Sequence, residues 1–293
     1  ARSILRDITR NTILYPTTIS FSSPDITWCS LSTNEVKTSL HKYNDIIPFY
    51  TDISYSTPLA DFIGKYPNES IKTIKGKTIV ESLVIWSSHQ KKILSWVKEV
   101  KGLDEIDKAH AKKKGIIFLT PHLGCYEITS IYYGSKHPLT ILYRPPRQKW
   151  LEELVKDGRQ KGFNTLAPTN KSGIKQILKA LKNHEAVGIL PDQASNKGEG
   201  EWAEFFGRPA YTMVLVSKLA KKTGATVIMA FGERLNIGKG FKIHFKTINS
   251  SCVSNPRKLN KVLEDSIKEA PTQYLWNYDK HKGYKSQKIK TFK

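Results

Sequence analysis

Residues 116–143 read IIFLTPHLGCYEITSIYYGSKHPLTILY. Two short apolar runs, Ile116 to Thr120 and Leu139 to Tyr143, have the length and composition of buried strands. The spacing between them predicts a helix over about 124–134. The same alternation continues outward. AVGIL at 186–190, TVIMAF at 226–231 and KIHFKTI at 242–248 read as further strands, with helices expected at about 148–161, 173–183, 212–223 and 256–269. Strand–helix alternation of this kind makes an α/β fold, with a mixed, largely parallel sheet flanked by helices. In such sheets the chemistry gathers at the carboxyl ends of the strands.

Upstream, residues 77–98 carry apolar side chains at helical spacing, so an amphipathic helix is expected there, broken near Ser87 and Ser88, with its stripe turned to the core. Residues 1–74 are rich in Ser, Thr, Asn and Tyr and read as helical or irregular segments packing on the core. Residues 75–293 then form the main domain, ending in a basic tail (280–293) with six lysines and no acid. That tail is either a solvated end or a weak electrostatic grip on an anionic membrane surface.

With 293 residues, of which 39% are hydrophobic, the chain can bury a sizeable core, which excludes disordered and fibrous classes. Its net charge of +21 favours an anionic partner or substrate. Only nine of the 47 basic residues are arginine, and Arg144, Arg147 and Arg159 cluster among them. Cys29, Cys125 and Cys252 show no C-x-x-C spacing, which argues against a disulfide framework or a zinc site and for a reducing compartment; no metal is expected. There is no apolar run of 18 residues, and the opening ARSILRDITR lacks the apolar core of a signal peptide, so no N-terminal anchor is visible.

Three strand ends carry polar residues suited to one site. After the first comes His122 and, five residues on, Glu127, the pattern H-x-x-x-x-E. With His122 in the turn and Glu127 in the first helical turn, the carboxylate is expected to fold back on the imidazole, fix its tautomer and raise the basicity of the other nitrogen, as a general base requires. The plainer reading is a helix-capping segment with an incidental histidine. Cys125 offers a rival nucleophile at a helix start. The second strand ends at Arg144, where Pro145 and Pro146 stop it, and an arginine there suits a phosphate, a carboxylate or a developing oxyanion. The third ends at Pro191, Asp192 and Gln193; Asp192 is placed to orient Arg144 or a substrate hydroxyl, or only to make an Asx-turn. Phe205 and Phe206, beyond a glycine-bearing loop, either wall an acyl-chain pocket or belong to the core. No HExxH, P-loop or GxSxG motif is present.

The ordered set TPHLGCYE, ILYRPPRQKWLEELVKDGRQKGF, GILPDQASNKGEGEWAEFFGRPAYTMVLVSKLAKKTGA and PTQYLWNYDKHKG resembles the lauroyl/myristoyl family of lipid A biosynthesis acyltransferases, over about residues 75–284. That family is similar to the glycerolipid acyltransferases, which share the H-x-x-x-x-acid pattern. The resemblance implies transfer of a fatty acyl group from acyl carrier protein to a hydroxyl of the Kdo-bearing tetraacyl lipid A precursor. It also implies a place at the cytoplasmic face of the bacterial inner membrane, with no cofactor beyond the donor thioester. It assigns His122 as general base and Glu127 as its partner acid, and places Arg144, Arg159, Asp192 and Gln193 on substrate-binding positions. Where the family often shows Asn-Trp before the acid, Cys125 and Tyr126 stand here, which weakens a cysteine nucleophile further. Competing readings keep the enzyme class with glycerol-3-phosphate or a lysophospholipid as acceptor, or make the chain a nucleic-acid binder on charge alone. No recognised nucleic-acid module supports the last.

Overall fold

The structure, a computed structural model, describes residues 71–281 apart from Arg147, Ile237, Asn277 and Asp279. The expectation for residues 1–74 therefore falls almost wholly outside the described residues, as does the basic tail beyond His281. Helices α1 (Ile71–Ser87) and α2 (Gln90–Ser95) bear out the helical stretch and its break at the serine pair, but not the expected stripe: in α1 the buried positions are Ile74, Thr78, Ser82 and Ile85, while Ile79, Val80, Leu83 and Val84 are half-buried. Val97 was expected in that helix but opens strand β1 (Val97–Lys101). There VKEVK sets Val97 and Val100 three residues apart, and a register irregularity between Val97 and Glu99 accommodates the extra residue.

Then follow α3 (Leu103–Ala111), β2 (Ile116–Leu119), α4 (Tyr126–Gly134), β3 (Leu139–Tyr143), α5 (Glu152–Arg159), β4 (Asn164–Pro168), α6 (Lys171–Lys182) and β5 (Ala186–Ile189). A hairpin of β6 (Gly200–Phe205) and β7 (Arg208–Met213) leads to α7 (Leu215–Thr223), β8 (Thr226–Arg234), β9 (Phe241–Ile248) and α8 (Pro256–Glu269). Seven strands form one sheet in the order β1-β9-β8-β2-β5-β3-β4. β8, β2, β5, β3 and β4 run parallel; β9 reverses against β8, and β1 follows β9. The sheet is thus mixed and largely parallel.

Its central strands are apolar on both faces because helices cover both. Ile117, Leu119, Val187, Ile189, Val227 and Met229 pack with α6, α7 and α8. Ile116, Phe118, Ile141, Ile228 and Ala230 pack with α2, α3 and α4 on the other side. Such double burial is what continuous runs like IIFL encode, where a one-sided sheet would alternate.

β2 and β5 are neighbours in register, Leu119 opposite Ile189. His122 lies three residues past Leu119 and Asp192 three past Ile189. Equal offsets beyond paired ends carry the two side chains to one place above the sheet. The turn that follows His122 needs Gly124, at φ +60°, where a Cβ would stand 2.0 Å from the carbonyl oxygen of Gly232. That close approach lets the Cys125 amide donate to the same oxygen at 2.7 Å, fastening the His122 turn to β8.

Candidate active site

His122 Nδ1 stands 3.0 Å from Asp192 Oδ1, and the His122 backbone N–H donates to Asp192 Oδ2 at 2.9 Å. With both carboxylate oxygens engaged by one residue, Nδ1 is the protonated nitrogen and Nε2 is left with its lone pair. Nε2 faces the side-chain amide of Gln193 at 3.4 Å. Asp192 is 2% exposed and His122 12%, so the carboxylate is sealed and the imidazole is reachable. Burial alone would push the Asp192 carboxyl up. The charge and two hydrogen bonds of His122, with Lys280 behind them, outweigh burial and hold it below the ordinary carboxylate range.

Glu127 does not fold back on His122, as the spacing had suggested. It lies at the start of α4, 4% exposed, and receives the Arg159 guanidinium: Nε donates to Oε1 at 3.1 Å and Oε2 at 3.0 Å, and Nη2 to Oε1. The rings of Trp86 and Tyr143 flank that guanidinium at 5.7 and 5.8 Å. Burial alone would lower the Arg159 pKa, but Glu127 more than offsets it and keeps the group charged. Both members of the pair therefore belong to a buried ion pair that joins the start of α4 to the end of α5. The partner acid of His122 is Asp192, seventy residues away in sequence.

Arg144, just beyond β3, is exposed, and its Nη2 donates to Asn196 Oδ1 at 3.2 Å, at the rim of the same sheet end. Cys125 is fully buried and its thiol is pushed well up, first by that burial and then by Glu81, which leaves little thiolate at neutral pH. Tyr126 packs edge-on against the His122 ring at 4.7 Å, and its hydroxyl is hydrogen-bonded with Ser82 of α1.

Beside Tyr126 opens a largely apolar cavity between α4 and the sheet, with Thr129, Ser130 and the paired Glu127 and Arg159 also in its wall. Thr120, Tyr126 and Leu190 stand at its upper end; Phe118, Tyr133, Leu139 and Phe245 stand at the opposite end of the strands. Gly188, in the middle of β5, leaves the width that a side chain would fill. Phe205 and Phe206 do not border this cavity. They pack in the core on the other face with Trp276 and His281.

A further set of contacts comes from PTQYLWNYDKHKG, a stretch that carries the resemblance but to whose residues the sequence assigned no role in the site. The segment from Gln273 to Lys280 runs back under the site. Leu123 pairs with Tyr274, the Gly124 amide donates to the Gln273 carbonyl at 3.0 Å, and the Leu275 amide donates to the His122 carbonyl at 3.0 Å. The Tyr274 hydroxyl is a hydrogen-bond partner of the Asp192 carboxylate, and Tyr278 Oη accepts from the Ala194 amide at 3.2 Å. Among the described residues no cluster of His, Cys, Asp and Glu is suited to hold a metal.

Residues 70–283 match the family of bacterial lipid A biosynthesis acyltransferases. The chain is 24% identical over 219 residues to the lipid A biosynthesis palmitoleoyltransferase of Escherichia coli K12, covering 73% of this chain and 70% of that one. It is 26% identical over 213 residues to the lipid A biosynthesis lauroyltransferase of the same organism, covering 71% and 69%. Over 191 residues it is 29% identical to a lipid A biosynthesis acyltransferase of Haemophilus influenzae, covering 64% of this chain and 59% of that protein.

Proposed function

The chain belongs to the bacterial lipid A biosynthesis acyltransferase family and is an acyltransferase, and from that premise we propose that it moves a fatty acyl group from an acyl carrier protein thioester to a hydroxyl of the Kdo-bearing tetraacyl lipid A precursor. The observation that carries this reading is the His122–Asp192 pair at 3.0 Å, its free Nε2 facing outward next to an apolar cavity of acyl-chain character. His122 Nε2 takes the proton of the acceptor hydroxyl as the oxygen attacks the thioester carbonyl. Asp192 holds the ring and stabilises the imidazolium that forms. The tetrahedral oxyanion then collapses, the C–S bond breaks, and the thiolate leaves with the proton returned by the imidazolium. No acyl-enzyme is required, in keeping with the sealed, protonated Cys125.

The donor's chain lies in the cavity beneath Tyr126, which replaces Phe205 and Phe206 as the proposed acyl site. Arg144, exposed at the rim, is offered to the acceptor's phosphate or sugar-acid carboxylates. Arg159 acts through Glu127 as a frame for α4, since its guanidinium is already paired. The excess of 47 basic over 26 acidic residues favours both an acidic carrier protein and the anionic cytoplasmic face of the inner membrane, where we place the enzyme. No described helix is long and apolar enough to cross a membrane.

Mass spectrometry of the products, after the chain is given lauroyl- and myristoyl-carrier protein with the tetraacyl precursor, tests the proposal. A gain of one acyl group that vanishes in His122→Ala supports it. Acylation of a lysophospholipid in place of the precursor would move the acceptor to the glycerolipid class and leave the His122 chemistry standing.

A further inference from the structure

An acyl transfer begun at His122 Nε2 puts negative charge on the donor's carbonyl oxygen, and a site built for it needs a hydrogen-bond donor aimed at that oxygen. The backbone of the His122 turn has none to spare. From His122 to Cys125 every amide is committed: to Asp192 Oδ2 at 2.9 Å, then to the carbonyls of Pro121 at 2.7 Å, Gln273 at 3.0 Å and Gly232 at 2.7 Å. Beyond β5 the Ala194 amide donates to Tyr278 Oη at 3.2 Å and the Ser195 amide to the Tyr211 carbonyl at 3.0 Å. The Tyr126 hydroxyl is hydrogen-bonded with Ser82, and Arg144 is engaged at the rim by Asn196.

Gln193 is placed differently. Its side-chain Nε2 stands 3.4 Å from His122 Nε2 and engages no other group among the described residues. Because Nδ1 carries the ring proton toward Asp192, Nε2 presents a lone pair, and the amide must turn its NH2 donor toward it. The spacing exceeds the roughly 2.7–3.2 Å of a settled hydrogen bond, so the ring does not hold the amide. The backbone does: Asp192 before it is bound twice by His122, and Ala194 after it is bound by Tyr278. A donor is thus kept beside the base with no strong partner, which is the preorganisation that an oxyanion site requires. We propose that Gln193 is a catalytic residue whose side-chain amide donates to the oxyanion formed on the thioester carbonyl. The inference rests on the reading of His122 as general base. The acceptor oxygen, seated at Nε2, bonds to the thioester carbon as its proton passes to the ring, and the C=O electron pair moves onto the carbonyl oxygen. That oxygen then lies two bonds from the attacking one, within reach of Gln193 Nε2. Collapse re-forms C=O, breaks C–S, and releases the amide as the thiolate takes the proton from the imidazolium.

The test is steady-state transfer by the wild type, Gln193→Leu, Gln193→Glu and His122→Ala, with acyl carrier protein donor and tetraacyl acceptor. Binding of two probes accompanies it. One is a trifluoromethyl ketone analogue of the acyl-pantetheine, whose hydrate carries an ionisable oxygen where the oxyanion forms; the other is the matching thioether, with a methylene in place of the carbonyl. Both Gln193 variants lose the donor, so kcat should fall by about a hundredfold to a thousandfold while KM for either substrate stays within about twofold. The ketone should bind about tenfold or more weakly, and the thioether as in the wild type. Gln193 is half-buried, and two replacements of different polarity leave one to decide if the other fails to fold. A wild-type kcat in both variants overturns the inference and leaves the charge to the first amides of α4, those of Tyr126 and Glu127. A loss confined to KM, or equal weakening of both probes, also overturns it and makes Gln193 a binding residue. A wild-type rate in His122→Ala would instead overturn the base assignment itself.

Discussion

At the residue scale the site holds two acids with separate duties. Asp192 pairs with His122 and Glu127 with Arg159, and their substitutions should therefore fail differently. Asp192→Asn leaves shape and burial in place but removes the charge that fixes the His122 tautomer. Transfer should fall by about a hundredfold or more in kcat/KM, with little change in the urea midpoint. Glu127→Ala strands a buried guanidinium and should lose about 3 kcal/mol of stability, measured by urea unfolding, with activity lost through the fold. Cys125→Ser should transfer at close to the wild-type rate, since the buried thiol takes no part in the chemistry; loss of activity with the fold intact would revive a thiol route. The position of His122 beyond the first strand was legible in the sequence, but the acid that meets it was not. The wrong acid was assigned because five residues of spacing says nothing about a residue seventy positions away. The missing signal was the register of β2 against β5, which equal three-residue offsets from the two strand ends would have supplied.

At the scale of elements, α4 and the strands beneath it set the length of the proposed acyl site. From Tyr126 to Tyr133 is seven residues of helix, about 10 Å along the cavity. The deep end is closed by Tyr133, whose hydroxyl meets His110 Nε2 at 3.2 Å. Gly188 is the place to shorten the cavity, because a Cβ there meets only ordinary contacts at 3.7–4.0 Å. Gly188→Val should shift preference toward shorter donors, and Tyr133→Ala toward longer ones, in a competition assay with mixed acyl carrier proteins. Movement in the same direction for both would place the chain elsewhere. The strands framing this cavity were readable as apolar runs, since burial on both faces leaves an uninterrupted signal. Those on the periphery were not. NTLAP of β4 is an edge strand with a terminal proline, and GEWAEF of β6 alternates like a loop-side hairpin whose turn, at Phe206 and Gly207, has positive φ at both residues.

At the scale of the whole molecule, burial of amines gives the fold a pH signature. Lys75, Lys161 and Lys280 are each pushed down to about 8 by burial, with carboxylates opposing that shift at Lys161 and Lys280. Between pH 8 and the ordinary lysine value of 10.5 these groups hold fewer protons folded than unfolded, so unfolding takes protons up and stability rises with pH. The melting temperature should therefore climb between pH 8 and 10, before buried tyrosines such as Tyr133, pushed up by burial, begin to oppose the trend. Lys280→Met should flatten part of that climb. A melting temperature that falls steadily across this window would mean that these amines are hydrated in solution.

The return of the Gln273–Lys280 segment beneath His122 also orders events in time. A ribosome makes the His122 turn and every residue lining the cavity, Phe245 included, before it makes α8, and it makes the stretch that braces the turn only after that. Until Tyr274 and Leu275 have emerged, the growing chain lacks their contacts to Asp192 and to the His122 carbonyl, so the His122 turn gains its last brace only after the sheet and α8 have been made.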